Sequence, residues 1–360
     1  MPKGPSEGEA LSISGREYLR GMEATKSRGP GGWLYEAVLL DARSPGEFQA
    51  GAVPGAVSFP LFDDEERAEV GTLYKQSGQE RAVERGLEVV GPKLAGFVER
   101  ARALREEGRE LGVYCARGGM RSGSVAWLLE TARLPVVKVE GGYKAYRRWV
   151  VRDLAEGPWE LQVVGGMTGT GKTEVVHALA ERGAATLDLE GLARHLGSAF
   201  GNLGRAAQPT SEAFGNACHR VLHGFAPGER VWVEDESRRI GSVHLPEELH
   251  ARMRCAPMWE LERTDDERIA HLIEVYGEAA PESLAAAFER IRAKLGGADT
   301  ARAVDAVRAG DYAAAAAIGL RYYDKLYRHT QARATRPAVH PVDARGKTAE
   351  AVAALLCGGG

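Results

Sequence analysis

The chain has few cysteines, and they lie far apart. Its 360 residues include only Cys115, Cys218, Cys255 and Cys357, with no CxxC pair and no cysteine–histidine cluster at metal-ligand spacing. The sequence therefore predicts neither a disulfide framework nor a structural zinc site. It also lacks an apolar run near the ~20 residues of a membrane-spanning helix, and its first residues lack the apolar core of a signal peptide. We expect a cytoplasmic protein with reduced thiols.

Neither sign of charge is in large excess. The formal net charge is −3, which taken globally argues against a nucleic-acid binder. The distribution is uneven, however, because basic residues predominate near the carboxyl end: Arg321, Lys325, Arg328, Arg333, Arg336, Arg345 and Lys347. On charge alone such a run is more often a solvated helix face than a nucleic-acid contact, and both alternatives stay open. A second basic cluster comprises Arg147, Arg148 and Arg152.

Short apolar runs alternate with helical patterns along the chain. The predicted strands are 37–41, 111–114, 136–139, 160–164, 185–189, 231–234 and 258–262. Helical patterns follow or precede them at 92–107, 122–132, 143–152, 174–181 and 267–329. This alternation predicts an α/β fold with parallel sheets and carboxyl-terminal helices. With a linker at 155–158, the expected domains are 1–152 and 153–360.

The first cysteine follows a predicted strand and opens a glycine turn. A thiol with a pKa of ~8.5 becomes a thiolate near neutral pH when backbone N–H groups, a helix amino terminus and cations surround it. We expect all three conditions around Cys115. Gly118 and Gly119 let backbone N–H groups turn inward, and Arg117 and Arg121 can pair with an oxyanion. The alternative is a buried structural cysteine at a strand end.

These residues resemble the rhodanese family, and the resemblance extends across the first domain. Asp41-Ala42-Arg43 with Glu47-Phe48, followed by Gly51 to Ala56, is similar to the family's opening motif, and Gly141-Gly142-Tyr143 to its closing motif. The family implies a cysteine that carries sulfur or selenium as a persulfide-type intermediate. The spacing from Cys115 to Arg121 is C-x5-R, one residue longer than the usual sulfurtransferase loop and similar to phosphatase and arsenate-reductase loops. A wider loop suits a tetrahedral donor that contains phosphate.

A second loop whose residues are typical of anion binding lies about fifty residues after the loop that begins at Cys115. We refer to these two segments as the anion loops. Residues 166–173 match G-x-x-x-x-G-K-[ST] between a predicted strand and an amphipathic helix, which predicts a phosphate-binding loop. Lys172 would meet the terminal phosphate, Thr173 would hold Mg²⁺, and Glu234 or Asp235 would supply a second metal ligand, although the run to Glu236 leaves the choice open. The expected phosphate-binding residues are Gly166, Thr168, Gly169, Thr170, Gly171, Lys172 and Thr173. Nothing in the loop specifies ATP.

Several further segments have no general motif but occur in a specific order. They are Tyr74 to Gly78, Asp188 to Ala193, Gly197 to Gly201, Gln208 to Thr210, Phe214 to Asn216 and Glu234 to Gly241. Together with the two loops they resemble the bacterial tRNA 2-selenouridine synthase family, from about Ser12 to Ala344. The resemblance implies a rhodanese-like domain fused to a P-loop domain. It also implies a transferase that modifies the wobble 2-thiouridine of tRNA.

The family implies two steps on that base. The sulfur is first alkylated with geranyl diphosphate, and the S-geranyl group is then displaced by selenium from selenophosphate. We expect the first step at the loop 166–173 with Mg²⁺. We expect the second at Cys115, where attack on selenium would release phosphate and leave a perselenide, with Arg117 and Arg121 on the phosphate oxygens.

The same resemblance implies contacts with tRNA and a place for the geranyl chain. One base must visit both loops in turn, so basic residues near each are candidates for RNA contact: Arg147, Arg148, Arg152, Arg238, Arg239, Arg321, Lys325 and Arg328. Selenophosphate synthetase is a candidate protein partner. Phe200, Phe214 and Trp232 are candidate walls of an apolar pocket for the ten-carbon chain.

Three other functions compete with this interpretation. An ATP-dependent RNA sulfurtransferase or kinase fused to a rhodanese domain would turn over ATP without geranyl diphosphate. A cysteine phosphatase would use Cys115 and Arg121 but would leave the second domain unexplained. A nucleotide-switched binding module would tolerate loss of Cys115 and Lys172. We assign no role to His177, His195, His219 or His271, and we expect Cys357 to lie in a frayed tail.

Overall fold

The computed structural model describes residues 25–203, 206–331 and 336–358. The chain divides into two compact units between Trp149 and Val150. The helix Gly142–Glu156 spans this division. Each unit has its own parallel sheet, and the two units are described separately.

The first unit contains a five-stranded parallel sheet. Its strands are β1 (Ser27–Arg28), β2 (Val38–Asp41), β3 (Val57–Ser58), β4 (Leu111–Tyr114) and β5 (Val137–Val139). They lie in the order β1-β5-β4-β2-β3, and every neighbouring pair is parallel. Its helices are α1 (Pro45–Ala50), α2 (Asp64–Ser77), α3 (Gln79–Val90), α4 (Leu94–Leu104), α5 (Met120–Thr131) and α6 (Gly142–Glu156), with short 3₁₀ turns at Gly32–Tyr35 and Gly91–Lys93.

The central strands of this sheet are buried over their full length. Every residue of β2 and of β4 is buried. Strands covered on both faces contain continuous apolar runs, which is why the sequence shows no polar alternation there. The core includes Leu40, Val113 and Leu129. The strand β4 therefore fixes the position at which the cysteine loop leaves the sheet.

The second unit repeats this architecture with a different strand order. Its sheet consists of β6 (Glu160–Gly165), β7 (Ala185–Leu187), β8 (Arg230–Glu234), β11 (Met258–Glu262) and β12 (Val339–Asp343), in the order β12-β11-β6-β8-β7 and parallel throughout. A small antiparallel hairpin is formed by β9 (Arg239–Ile240) and β10 (Val243–His244). The helices are α7 (Lys172–Glu181), α8 (Leu189–Ala193), α9 (Ser211–Leu222), α10 (Glu247–Arg254), α11 (Asp265–Tyr276), α12 (Pro281–Arg290), α13 (Arg292–Leu295), α14 (Gly297–Arg308), α15 (Tyr312–Gln331) and α16 (Ala349–Gly358).

The helices that follow β11 form a core of their own. Phe200, Phe288, Val304 and Ile318 are buried there, contributed by α12, α14, α15 and the loop after α8. None of the helices in the described ranges is long and apolar enough to cross a membrane. The second unit therefore combines a sheet that carries the glycine loop with a helical part that packs beside it.

The predicted α/β class, with parallel sheets and carboxyl-terminal helices, is confirmed. Three local predictions are wrong. Ala155 and Glu156 belong to α6 rather than to a linker, and the run 185–189 ends as a strand at Leu187 because Asp188 caps α8. The predicted frayed tail is α16, which buries Val352 and Leu356 against the sheet while Cys357 stays exposed. Strand β12 was not predicted from the sequence, nor were the two-residue strands β1, β3, β9 and β10.

Candidate active sites

The cysteine loop leaves the carboxyl end of the central strand β4. Cys115 follows Tyr114 and is 4% exposed, and Gly119 then caps α5. Gly118 has a φ of +67°, which turns the chain back toward the helix. The Ser122 hydroxyl donates a hydrogen bond to the Cys115 Sγ at 3.2 Å. The thiol therefore lies at the amino-terminal end of α5 with one hydroxyl donor.

The closing motif forms the floor beneath this loop. The Tyr143 N–H donates to the Cys115 carbonyl at 2.9 Å, and the Lys144 N–H donates to the Ala116 carbonyl at 3.0 Å. Gly142 has a φ of +57°, and a Cβ placed on it would lie 2.2 Å from the Cys115 carbonyl oxygen. A side chain at this position would therefore push the cysteine loop away from α6.

Replacing Gly142 with alanine is expected to destabilise the first unit. The left-handed backbone costs roughly 1–2 kcal/mol for a residue with a Cβ, and overpacking adds about 1–3 kcal/mol. Differential scanning calorimetry should show a melting temperature lower by about 6–12 °C. The matched control is Gly119→Ala, where φ is −89° and a Cβ would meet nothing within 4 Å. A Gly142→Ala protein as stable as wild type would contradict the close contact.

The opening motif is a buried ion pair that meets the closing motif. The Arg43 guanidinium lies 2.6 Å from Asp41 and donates to the Gly51 carbonyl at 2.7 Å, and both charged side chains are almost fully buried. The same guanidinium stacks over the Tyr143 ring, 3.8 Å from its centroid. These residues are thus positioned to brace the fold around the loop, not to contact a substrate.

The two loop arginines are placed differently. Arg117 is exposed, whereas Arg121 makes a two-point ion pair with Glu47, with N–O distances of 2.5 and 3.2 Å. Partial burial acts to raise the pKa of Glu47, but the Arg121 guanidinium outweighs it and lowers this pKa to about 2. An oxyanion that binds Arg121, as expected from the sequence, must therefore share the Arg121 guanidinium with the Glu47 carboxylate or displace that carboxylate.

A groove of about 570 Å³ adjoins the cysteine loop. Side chains of α2 and α3 form its apolar walls, including Tyr74 and Leu87, which are 55% and 54% exposed. Its basic side chains are Arg67, Lys75, Arg117 and Arg121. Tyr74 and Lys75, from the motif Tyr74 to Gly78, therefore line the groove that adjoins the cysteine loop, a position that the sequence alone did not show.

In the second unit, the glycine loop leaves the carboxyl end of β6 and wraps the start of α7. Gly166, Gly169 and Gly171 have φ values of +140°, +82° and +77°. Such turns point successive N–H groups into one concavity, and the helix amino terminus adds its dipole. The Lys172 ammonium donates to the Gly166 carbonyl at 3.1 Å and lines the same cavity. The Thr170 hydroxyl instead donates to the Met167 carbonyl, and its buried side chain does not line the cavity.

Carboxyl groups from two strand ends converge on this loop. The Thr173 hydroxyl donates to Glu190 at 2.8 Å, and the Glu190 N–H donates to Glu234 at 2.8 Å. Burial, and then the neighbouring carboxylates, raise the pKa of Glu234 well above its usual range. Within the described ranges, the other oxygen of Glu234 has no hydrogen-bond partner. Burial also raises the pKa values of Glu190 and Glu236, whose carboxyl groups hydrogen-bond to each other.

The three consecutive acids after β8 have different surroundings. Asp235 is held by Arg336 at 2.6 Å and also accepts a hydrogen bond from the Gln331 amide. Glu236 and Glu190 line the phosphate-loop cavity, whose volume is about 310 Å³. Glu190 and Glu236 are therefore better placed than Asp235 to face a bound cation. Glu236 was one of the three acids left open by the sequence, whereas Glu190 was not a candidate, and its only available signal was its position after the strand β7.

Side chains of the helical part also form hydrogen bonds with the backbone of the glycine loop. The Arg268 side chain is 3% exposed and donates to the Thr168 carbonyl at 2.9 Å, while its guanidinium pairs with Asp324. The Tyr327 hydroxyl accepts a hydrogen bond from the Gly166 N–H at 3.0 Å and donates to Glu260 at 3.1 Å. Two helices after β11 thus fix the backbone of the loop.

Comparison with known proteins decides the family. Residues 159–355 match the "tRNA 2-selenouridine synthase AAA domain", and residues 31–148 match the "Rhodanese-like domain". The chain belongs to the tRNA 2-selenouridine synthase family. The predicted family membership is thereby confirmed.

Individual members of the family match most of the chain. The tRNA 2-selenouridine synthase of Bordetella petrii is 36% identical over 354 residues, which cover 86% of this chain and 91% of the relative. That of Chromohalobacter salexigens is 35% identical over 343 residues, covering 86% and 92%. That of Pseudomonas syringae pv. syringae is 40% identical over 253 residues, covering 68% and 67%.

Gln208, in one of the segments that carry the family resemblance, links separate parts of the second unit by hydrogen bonds. The Gln208 amide donates to the carbonyls of Ala193 and Ile240, both at 3.0 Å, and its oxygen accepts from the Ser242 N–H at 2.7 Å. This side chain joins α8, the hairpin β9–β10 and the loop before α9. In this member of the tRNA 2-selenouridine synthase family, the segment 208–210 therefore has a structural role near the phosphate-loop cavity.

One cluster of side chains lies at metal-ligand spacing within the described ranges. Ligand atoms of Asp153, His219 and His223 all lie within 4.8 Å of one another, and the buried His219 bonds to Asp153 at 2.9 Å. The sequence analysis assigned His219 no partner because Asp153 is 66 positions away in the chain. The hydrogen bond accounts for its burial.

The candidate RNA-contact residues of this family member fall into distinct groups. Arg321, Lys325 and Arg328 are exposed at spacings of four and three, which places them on one face of α15. Arg148, Arg152, Arg238 and Arg239 are exposed and Arg147 is half-buried; Arg238 pairs with Glu247, and Arg239 bonds to the Gly241 carbonyl. Arg336 is buried against Asp235, and Arg333 lies outside the described residues.

Proposed function

We propose that this protein converts the wobble 2-thiouridine of tRNA to 2-selenouridine by S-geranylation followed by selenation. The observation that carries the proposal is the presence of two chemically different anion loops in one chain. One contains a thiol that accepts a hydrogen bond from Ser122, and the other contains Lys172 and Thr173 beside a cluster of carboxyl groups. Two donors with different phosphorus groups match two such sites.

In the first step, the sulfur of 2-thiouridine attacks C1 of geranyl diphosphate. The C–O bond breaks, diphosphate leaves with the electron pair, and the base loses its N3 proton. Lys172 and the N–H groups of the loop hold the diphosphate where negative charge develops. Loops of this kind bind phosphate oxygens through backbone N–H groups and a lysine and do not bind the base or sugar, so this chemistry suits a diphosphate ester as well as a nucleotide.

The acid cluster fits a magnesium ion. Hard cations prefer oxygen ligands, and the Thr173 hydroxyl, Glu190 and Glu236 offer them at the edge of the cavity. One buried oxygen of Glu234, which bonds to the Glu190 N–H through its other oxygen, has no hydrogen-bond partner among the described residues, which is consistent with a cation nearby. A bound Mg²⁺ would neutralise charge on the departing diphosphate.

The second step must balance its electrons. If the Cys115 thiolate attacked selenium in selenophosphate, the Se–P electron pair would leave on phosphorus and give phosphite. The perselenide route expected from the rhodanese resemblance therefore does not release phosphate. Selenium instead attacks C2 of the base and the geranyl thiolate leaves, which places the phosphoryl group on selenium. The Cys115 thiolate then attacks phosphorus, and the Se–P electron pair remains on selenium. Water cleaves the resulting S–P bond and releases phosphate.

The geometry of the cysteine loop supports attack on phosphorus. Arg117 and Arg121 line the groove that adjoins the loop, and the left-handed backbone of Gly118 turns the chain there. The oxygens of a tetrahedral phosphoryl group accept hydrogen bonds from guanidinium groups and from backbone N–H groups of such a loop. The Ser122 hydroxyl, 3.2 Å from Cys115, can stabilise the thiolate when phosphate leaves.

Phosphorus NMR tests this assignment. With tRNA that contains 2-thiouridine, geranyl diphosphate should give inorganic diphosphate only when both RNA and protein are present. Subsequent addition of selenophosphate should give inorganic phosphate and no phosphite. RNA-dependent breakdown of ATP, with geranyl diphosphate left intact, would instead support an ATP-dependent sulfurtransferase or kinase.

The exposed basic face of α15 is the proposed RNA contact of the second unit. Replacing Arg321, Lys325 and Arg328 together with alanine should weaken tRNA binding. The slope of log K against log salt concentration should become shallower by about one unit for each RNA phosphate that is no longer neutralised. Filter binding over a range of salt concentrations measures both quantities. The control removes the same charge at the exposed residues Lys294, Arg302 and Arg308. Equally weakened binding in the two triple variants would show a bulk charge effect and contradict the assignment.

A further inference from the structure

The helical part of the second unit lines a half-open apolar cavity of about 70 Å³. Leu284, Phe288, Val307 and Ala316 contribute to its walls, from α12, α14 and α15. Pockets with mostly apolar walls favour a hydrocarbon ligand.

The hydroxyl groups at one end of this cavity are already satisfied. The Tyr276 and Ser198 hydroxyls lie 3.0 Å apart and bond to each other. The Tyr323 hydroxyl accepts a hydrogen bond from the Ala199 N–H at 2.9 Å. At this end a ligand therefore meets three hydroxyl groups that already have hydrogen-bond partners, and most of the remaining wall is apolar, which favours a hydrocarbon chain over a sugar or a base.

The end of the cavity that carries these hydroxyl groups adjoins the phosphate loop. The helical cavity and the phosphate-loop cavity share the lining residues Thr168, Ser198, Leu272, Tyr276 and Tyr323. Thr168 belongs to the glycine loop itself. A molecule that places a diphosphate in the loop can therefore extend an apolar chain past these side chains into the helical cavity.

The size of the helical cavity limits what fits. Its volume of about 70 Å³ is near half of the ~150 Å³ engineered cavity that accepts benzene. The helical cavity therefore has room for only the end of a hydrocarbon chain, and the larger phosphate-loop cavity has room for the part of the chain next to the diphosphate. We propose that the helical cavity binds the distal end of the geranyl chain of geranyl diphosphate and selects the length of the chain. The proposal rests on the proposed geranylation.

Of the three wall residues expected from the sequence, Phe200 lines this cavity. Phe214 and Trp232 are buried elsewhere in the second unit and do not line it. The sequence could not locate the cavity because its walls come from helices that share no motif.

Two substitutions fill the cavity without disturbing the loop. Ala316→Leu adds three carbons to the wall, and Gly319→Ala adds a methyl that would meet the Phe288 ring at 3.6 Å, an ordinary contact. The matched control is Ala313→Leu at an exposed position of the same helix. Isothermal titration calorimetry with Mg²⁺ then compares geranyl diphosphate, dimethylallyl diphosphate and inorganic diphosphate.

Wild type and Ala313→Leu should bind geranyl diphosphate more tightly than the two shorter ligands. Ala316→Leu should lose about 10- to 200-fold in affinity for geranyl diphosphate, and Gly319→Ala should lose less, while inorganic diphosphate binds all four proteins equally. Unchanged geranyl diphosphate affinity in both filled variants would overturn the cavity assignment and leave geranylation standing. A wild-type protein that binds geranyl diphosphate no better than inorganic diphosphate would overturn both.

Discussion

Replacing Cys115 with serine is expected to stop the reaction before 2-selenouridine is formed. Serine keeps the size and the contact with Ser122 but is a far weaker nucleophile at neutral pH. Loss of a catalytic nucleophile costs roughly 10⁴- to 10⁶-fold in rate. With geranyl diphosphate alone, nucleoside analysis should show S-geranyl-2-thiouridine formed at the wild-type rate. After selenophosphate is added, the Se-phosphorylated nucleoside should accumulate and no 2-selenouridine should form.

The matched control for this variant is Cys255→Ser, which removes an exposed thiol at the end of α10. It should form 2-selenouridine as wild type does. Geranylation abolished as completely as selenation in Cys115→Ser would contradict the separation of the two steps. Full selenation by Cys115→Ser would contradict any covalent role for the thiol.

Labelled selenophosphate distinguishes the two possible roles of Cys115. Attack on phosphorus predicts that acid-quenched wild type carries radioactive phosphorus on this residue and no radioactive selenium. Attack on selenium predicts the reverse labelling. The label should be absent from Cys115→Ser with either isotope.

Replacing Lys172 with alanine is expected to abolish geranylation. Its ammonium lies in the phosphate-loop cavity, where it would face the diphosphate as negative charge develops. Removing one such preorganised donor costs about 10²–10³-fold in rate. Quenched-flow measurement of S-geranyl-2-thiouridine should show this loss, and the exposed Lys294→Ala variant should react at the wild-type rate.

A preformed intermediate separates this defect from general damage. tRNA that wild type has already geranylated should be converted to 2-selenouridine by Lys172→Ala at the wild-type rate, since that step uses the cysteine loop. Failure with the preformed intermediate would show that Lys172 serves both steps. Normal geranylation by Lys172→Ala would remove the phosphate loop from the reaction.

The positions of both anion loops could be predicted from the sequence. Each loop follows a short apolar run, β4 or β6, that lies in the centre of a parallel sheet. Central parallel strands are buried on both faces, so their sequence signal is strong, and ligand sites lie at their carboxyl ends. The glycines and basic residues that follow then identify the chemistry.

The partners of these loops could not be predicted, because they come from distant parts of the chain. Glu190 reaches Thr173 from the end of another strand, and Arg336 neutralises Asp235 from 101 positions away. Glu47 meets Arg121 across 74 positions. Such contacts depend on strand order, which local periodicity does not reveal. Strand β12 was missed because Val339–Asp343 contains a proline and buries only Val342.

The central claim is that one base is first geranylated and then selenated by this chain. Mass spectrometry of the nucleosides tests it most directly, with purified protein, Mg²⁺, 2-thiouridine-containing tRNA and the two donors added one at a time. We predict a gain of one geranyl group with geranyl diphosphate, and conversion of that product to 2-selenouridine when selenophosphate follows. Unmodified 2-thiouridine after both donors, or 2-selenouridine formed without geranyl diphosphate, would contradict the account.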